Sequence, residues 1–221
     1  MAFYRTTKDL NYRTGPGVKY TKVGVLKKGA LISVVGQTGK WLKIKKSNKY
    51  YFCSSTYTKK AVDYRTKVGD VVPKVANKVL AGKAEHVSGA YKFTGHKVNC
   101  SVFVSACLQE AGLLSDNTTV YHTSKSHRKD SIGHCVHNRL KVDHYTWHKT
   151  DKKFENLPSS YKKKGCVYVY PSSIGILGSD GSIYGCHSSG KKYTKMSMIK
   201  HSGKDYEYAT NILVVGVPSI E

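Results

Sequence analysis

Asn99-Cys100-Ser101-Val102-Phe103-Val104-Ser105, continued by Glu110-Ala111-Gly112-Leu113, is the stretch on which the fold of this chain turns. Phe103, Cys107, Leu108 and Ala111 recur at helical spacing, which predicts a helix over about 100–111 with Asn99 as its cap and Gly112 as its stop. Cys100 then lies in the first turn. Unpaired N–H groups and the helix dipole favour negative charge there, so a thiol can be poised as a thiolate nucleophile. The same position also suits an inert, buried cysteine, and geometry alone leaves both readings open.

Working outward, Val71, Val72, Val75, Ala76, Val79 and Leu80 show the same periodicity, with Asp70 placed to cap a helix and Gly82 to end it. Residues 115–164 are polar and His-rich and carry no clear period. Strand-like runs follow at CVYVYP (166–171), SIGILG (173–178), GSIYGCHSS (181–189) and NILVVGV (211–217). A helix packed on an antiparallel sheet accounts for this order. The first sixty residues instead read as short strands about ten residues apart, separated by turn signals, as in a small all-β barrel. Gly15 and Gly17 bracket Pro16 where a tight turn calls for unusual φ. Trp41 is expected to plug the barrel, and Tyr12, Tyr20, Tyr50 and Tyr51 are exposed candidates for stacking on sugars or flat peptide groups. Three segments result: a barrel over 1–60, a linker over 61–69 and an α+β domain over 70–221.

The 37 Lys and Arg outweigh 14 Asp and Glu for a formal charge of +23, so the partner expected is a polyanion. Nucleic acid and an anionic bacterial wall both answer to that description. A hydrophobic fraction of 39% fits a folded chain rather than a disordered one. No run approaches the roughly 18 apolar residues of a membrane span, and the N-terminus lacks the apolar core of a secretory signal, so synthesis in a cytoplasm without membrane insertion is the expectation. The six cysteines form no C-x-x-C pair and are read as mostly reduced thiols.

Two resemblances sharpen this picture. Leu10-Asn11-Tyr12-Arg13-Thr14-Gly15-Pro16-Gly17, Val23-Gly24-Val25-Leu26-Lys27-Lys28-Gly29, Trp41 and the closing Ser54-Ser55-Thr56-Tyr57 resemble a bacterial SH3-like cell-wall-binding domain across residues 1–60. Tyr91-Lys92-Phe93-Thr94-Gly95, then Asn99-Cys100-Ser101-Val102-Phe103-Val104-Ser105 and Glu110-Ala111-Gly112-Leu113, look like the signature of the NlpC-type cysteine peptidases. That resemblance implies a papain-like domain of helices on an antiparallel sheet. It also implies Cys100 as nucleophile on an amide of the peptidoglycan stem peptide and Tyr91 as a hydroxyl near it; His96, in the loop expected to rim the cleft, and Asn99 and Ser101 beside the thiol are candidate substrate contacts. No cofactor is implied.

A thiol peptidase also needs a base, normally histidine, and a group to orient it. Here the chain departs from the pattern, because Ser172-Ser173 stands where the family histidine should open its strand. The orienting position aligns with Gly185, and His187 follows two residues on. Positions i and i+2 of a strand share a face about 6.6–6.8 Å apart, so a Cys100–His187 dyad is expected, helped by a bulge at Gly185, with Ser173 as a hydroxyl orienter. Separately, residues 122–148 are dense in histidine. His144 and His148 have the spacing that would put two imidazoles on one helix face, and His134 and His137 add further nitrogen ligands, a candidate structural metal set without a recognised zinc spacing.

The leading expectation is a peptidoglycan hydrolase of Gram-positive walls, held there by the barrel and by anionic wall polymers, in the manner of a bacteriophage lysin. Its rivals are a wall-binding protein on a decayed peptidase scaffold and, further off, a nucleic-acid-binding module.

Overall fold

The computed structural model describes residues 2–81, 100–114, 142, 144–170, 174–188, 196–201 and 211–221, with backbone alone for 78–81, 101, 102, 186–188 and 196–201. The chain divides into two compact units, Met1–Asp63 with Ile220–Glu221, and Tyr64–Ser219.

The first unit is one antiparallel sheet of seven strands: β1 (Ala2–Thr6), β2 (Leu10–Arg13), β3 (Lys22–Leu26), β4 (Leu31–Thr38), β5 (Trp41–Lys46), β6 (Lys49–Ser54) and β7 (Thr58–Lys60). Their order is β3-β2-β6-β5-β4-β1-β7. Period-two alternation builds its core. Leu42 and Ile44 of β5 are buried while Lys43 and Lys45 are not, and Leu10, Tyr12, Leu26, Ile32, Val34 and Cys53 complete the cluster. β5 and β6 are joined through Ser47 and Asn48, both at positive φ (46° and 60°), the backbone that a two-residue hairpin demands.

Three expectations for this unit are corrected. Trp41 does not plug the barrel: it opens β5 opposite Ser54 on the partly exposed parity, and Leu42 takes the interior place. Tyr12 is a core residue, 9% exposed, whereas Tyr20 and Tyr50 are exposed. Gly15 and Gly17 are not among the residues at positive φ. What Gly15 provides is room, since a Cβ there would lie 2.4 Å from the Tyr20 ring.

The second unit places α1 (Tyr64–Gly69), α2 (Val72–Ala81) and α3 (Cys100–Glu110) with a sheet of β8 (Tyr145–Lys152), β9 (Val167–Val169), β10 (Ile174–Leu177), β11 (Ile183–Ser188), β12 (Met196–His201) and β13 (Ile212–Pro218). The order is β12-β11-β10-β9-β13-β8, antiparallel throughout. This is the α+β arrangement expected, a helix layer on an antiparallel sheet. The sheet has a core on each face. Val167, Val169, Ile174, Ile176, Tyr184 and Val214 pack with the helices. Cys166, Tyr168, Tyr170, Leu177, Ile183, Ile212 and Val215 pack on the other side with Phe154, Leu157 and Tyr161.

Here too the sequence reading needs correction. The linker expected over 61–69 becomes α1 from Tyr64 onward, with Val68 fully buried. A single apolar residue in one and a half turns leaves no period to detect. Asp70 lies two residues ahead of α2 and its carboxylate instead sits 3.4 Å from Lys164 Nζ. His144 and His148 do not share a helix face, because residues 145–152 form β8. His144 sits in the preceding turn at φ 67° and stacks on Tyr64 at 3.9 Å, while His148 stacks on Tyr161 at 4.8 Å. Among the described residues no group of three His, Cys, Asp or Glu could hold a metal ion, and His134 and His137 lie outside them.

Candidate thiol site

α3 begins at Cys100, as its motif predicts, and ends at Glu110. Phe103, Val104, Ser105, Ala106, Cys107 and Leu108 are all buried, so this helix is enclosed nearly all round, as expected of one packed against α2, β10 and β11 together. Its stop is built by Gly112 at φ 67°, with Gly112 N–H donating to Gln109 O at 2.8 Å and Leu113 N–H to Leu108 O at 2.9 Å. Cys100 is therefore the first residue of an eleven-residue helix, partly buried against the helix-side core, with no carboxylate in the first turn to oppose a thiolate.

The other described thiols are in different surroundings. Cys53, Cys107 and Cys166 are fully buried thiols. Burial pushes the Cys53 and Cys166 thiols up to about 11. Burial, reinforced by Glu110, holds Cys107 well above the ordinary thiol range. Such thiols stay protonated and unreactive at neutral pH. Cys100 is the one described thiol that solvent reaches.

β11 carries His187, the base expected from the sequence. β11 pairs with β12 without a break in register, from Ile183 opposite His201 to Ser188 opposite Met196, so no bulge occurs at Gly185. Alternation then sorts the strand into two sets. Tyr184 packs in the core shared with α3, and positions 186 and 188 have its parity. Ile183 packs in the core on the opposite face, and positions 185 and 187 have that parity. The His187 position thus belongs to the face away from α3. The expectation put His187 on the same face of the strand as Gly185, and in the continuous ladder the two positions do share a parity.

Tyr91, His96, Asn99 and Ser173 lie outside the described residues, and Ser101 is described by its backbone in α3. A residue the sequence reading missed is Tyr184, which faces α3 and whose hydroxyl donates to Asp180 Oδ2 at 2.9 Å. Burial first, and then the Asp180 carboxylate, push it up to about 12, which keeps that hydroxyl protonated. The signal available in the sequence was the alternation centred on Ile183-Tyr184.

Residues 8–59 match the family model described as a bacterial SH3 domain. No curated protein matches the chain. Among solved structures it is similar to NlpC2 from Trichomonas vaginalis, at 10% identity and a TM-score of 0.34, covering 96% of this chain and 71% of that one. NlpC1 from the same organism is similar at 10% identity and 0.34, covering 96% and 67%. An NlpC/P60 family protein from Bacillus cereus is similar at 11% and 0.31, covering 97% and 62%. At these identities and scores the likeness is remote.

Proposed function

We propose that this protein is a peptidoglycan hydrolase in which the SH3-like unit holds the wall and Cys100 attacks an amide of the stem peptide. The observation that carries this reading is a solvent-reached cysteine opening a buried helix inside Asn99-Cys100-Ser101-Val102-Phe103-Val104-Ser105. The thiolate adds to the amide carbonyl, the C–N bond breaks as the leaving amine takes a proton, and a thioester remains. Water adds to the thioester, releasing the carboxylate and restoring the thiol. The charge of +23 favours residence at a wall rich in anionic polymers, such as that of a Gram-positive bacterium. A phage lysin is the role that this pairing of wall-holding and wall-cutting units suits. Among the described residues no helix is long and apolar enough to cross a membrane.

A second reading is a wall-binding protein whose thiol no longer has a base. The observation favouring it is the parity of position 187, together with Ser173 where the resemblance calls for histidine. New amino termini released from purified walls of several chemotypes separate the two. Hydrolysis predicts release by wild type and a loss of roughly 10³-fold or more in Cys100→Ala. No release by wild type from any wall supports the second reading. His187→Ala tests the base: a comparable loss assigns it to His187, and a change of less than about threefold removes His187 from the mechanism.

A further inference from the structure

Residues 1–60 hold twelve lysines and two arginines against a single carboxylate, Asp9. That carboxylate is already engaged, with Lys27 Nζ at 2.9 Å and the Lys28 N–H at 2.9 Å. Both guanidinium groups are engaged as well. Arg5 donates to the carbonyls of Gly29 and Ile220, and Arg13 to that of Tyr20. The outward positive charge of this unit is therefore carried by lysine, and its densest run is the β5–β6 hairpin, with Lys43, Lys45, Lys46 and Lys49. Lys46 and Lys49 stand directly opposite each other in the ladder. A like-charged cross-strand pair costs stability unless something neutralises it.

Beside this hairpin lies a cavity of about 340 Å³. Phe3, Leu26, Leu31, Ile32 and Ile44 give it an apolar lining, and Ser33, Lys45 and Lys46 complete it. Ser33 Oγ is buried there with no hydrogen-bond partner. A buried hydroxyl without a partner is destabilising, and a turn of the Ser33 side chain towards the cavity would let a ligand oxygen satisfy it. The lining of one cavity thus combines a serine, two lysines and apolar side chains, with no carboxylate among them.

We propose that this cavity is a binding site for a polyol-phosphate polymer of the wall. The phosphodiester lies at Lys45 and Lys46, Ser33 Oγ bonds an oxygen of the same repeat, and the polyol carbons rest on Phe3 and Leu31. Lys43 and Lys49 attract flanking phosphates. A phosphodiester chain without bases fits better than nucleic acid, because the tyrosines that would stack on bases already carry lysines. Lys43 Nζ lies 4.8 Å from the ring centroid of the exposed Tyr50 and Lys8 Nζ 3.9 Å from that of Tyr57. The choice of a wall polymer rests on the wall-directed function proposed above.

The test is titration of the full-length protein with poly(glycerol phosphate) at fixed salt, beside a single-stranded oligonucleotide of equal phosphate number. The site predicts binding of the polymer by wild type. It predicts a loss of about tenfold or more in Lys45→Ala/Lys46→Ala, against less than about threefold in Lys59→Ala/Lys60→Ala, which removes the same charge from β7. Ser33→Ala should weaken binding about two- to fivefold while the protein unfolds no earlier in urea, so that lost affinity is not lost fold. Equal losses from the two double variants, tighter binding of the oligonucleotide, or no binding of the polymer would each overturn the assignment. Because the titration reads no hydrolysis, polymer binding without amine release from walls would leave this site standing and remove the hydrolase reading instead.

Discussion

At the scale of single residues, the cysteines differ by their surroundings rather than by their chemistry. Cys53, Cys107 and Cys166 are enclosed, and Cys100 is reached by solvent at a helix N-terminus. Brief treatment of the folded protein with iodoacetamide near pH 7.5, followed by peptide mapping, should therefore modify Cys100 and spare those three; labelling of Cys107 at a comparable rate would contradict the packing of α3. The raised thiol of Cys53 has a consequence for stability. Its pKa rises on folding from about 9 to about 11, so the folded state holds the proton more tightly, and the stabilisation it confers is complete below about pH 9 and is lost as pH climbs towards 11. Urea midpoints measured from pH 8.5 to 11 should fall less steeply in Cys53→Val than in wild type. The start of α3 at Cys100 was legible in the sequence because apolar periods are local. The role of Trp41 was not, since residue type says that an aromatic wants burial but not which parity of β5 turns inward. Leu42→Ala should accordingly cost about 2–5 kcal/mol in chemical unfolding, and Trp41→Ala clearly less.

At the scale of elements, α3 places Cys100 and β11 carries His187. α3 depends on its stop at Gly112, whose φ of 67° an alanine adopts only with strain. Gly112→Ala should destabilise the protein by about 1–2 kcal/mol in urea unfolding, and an unchanged midpoint would show that the helix ends otherwise. β9, β10 and β13 were readable because their apolar runs are buried on both faces. β8 and β12 were not, because both lie at sheet edges. β8 is a polar strand, Tyr145-Thr146-Trp147-His148-Lys149-Thr150-Asp151-Lys152, paired on one side alone, and half-solvated edges leave no alternation to count. Which face a strand residue occupies depends on register, and register is set by pairing with β12, which lies outside anything the local sequence displays.

At the scale of the whole molecule, the two-unit organisation and the basic charge were plain in the sequence, since composition and turn spacing shift together near residue 60. The boundary itself was blurred by α1, which is too short to announce itself, and by the return of Ile220–Glu221 to the barrel unit, where Asp63 bridges Ile220. A charge of +23 predicts that binding to purified walls weakens steeply as salt is raised from about 50 to 300 mM, read by pull-down. The central claim concerns one bond, the thioester between Cys100 and an acyl group of the stem peptide. Acid quenching of the protein on soluble wall fragments, followed by peptide mass spectrometry, should find that adduct on the peptide containing Cys100 and on no other, and Cys100→Ala should lack it. Release of new amino termini at undiminished rate by Cys100→Ala would contradict the account.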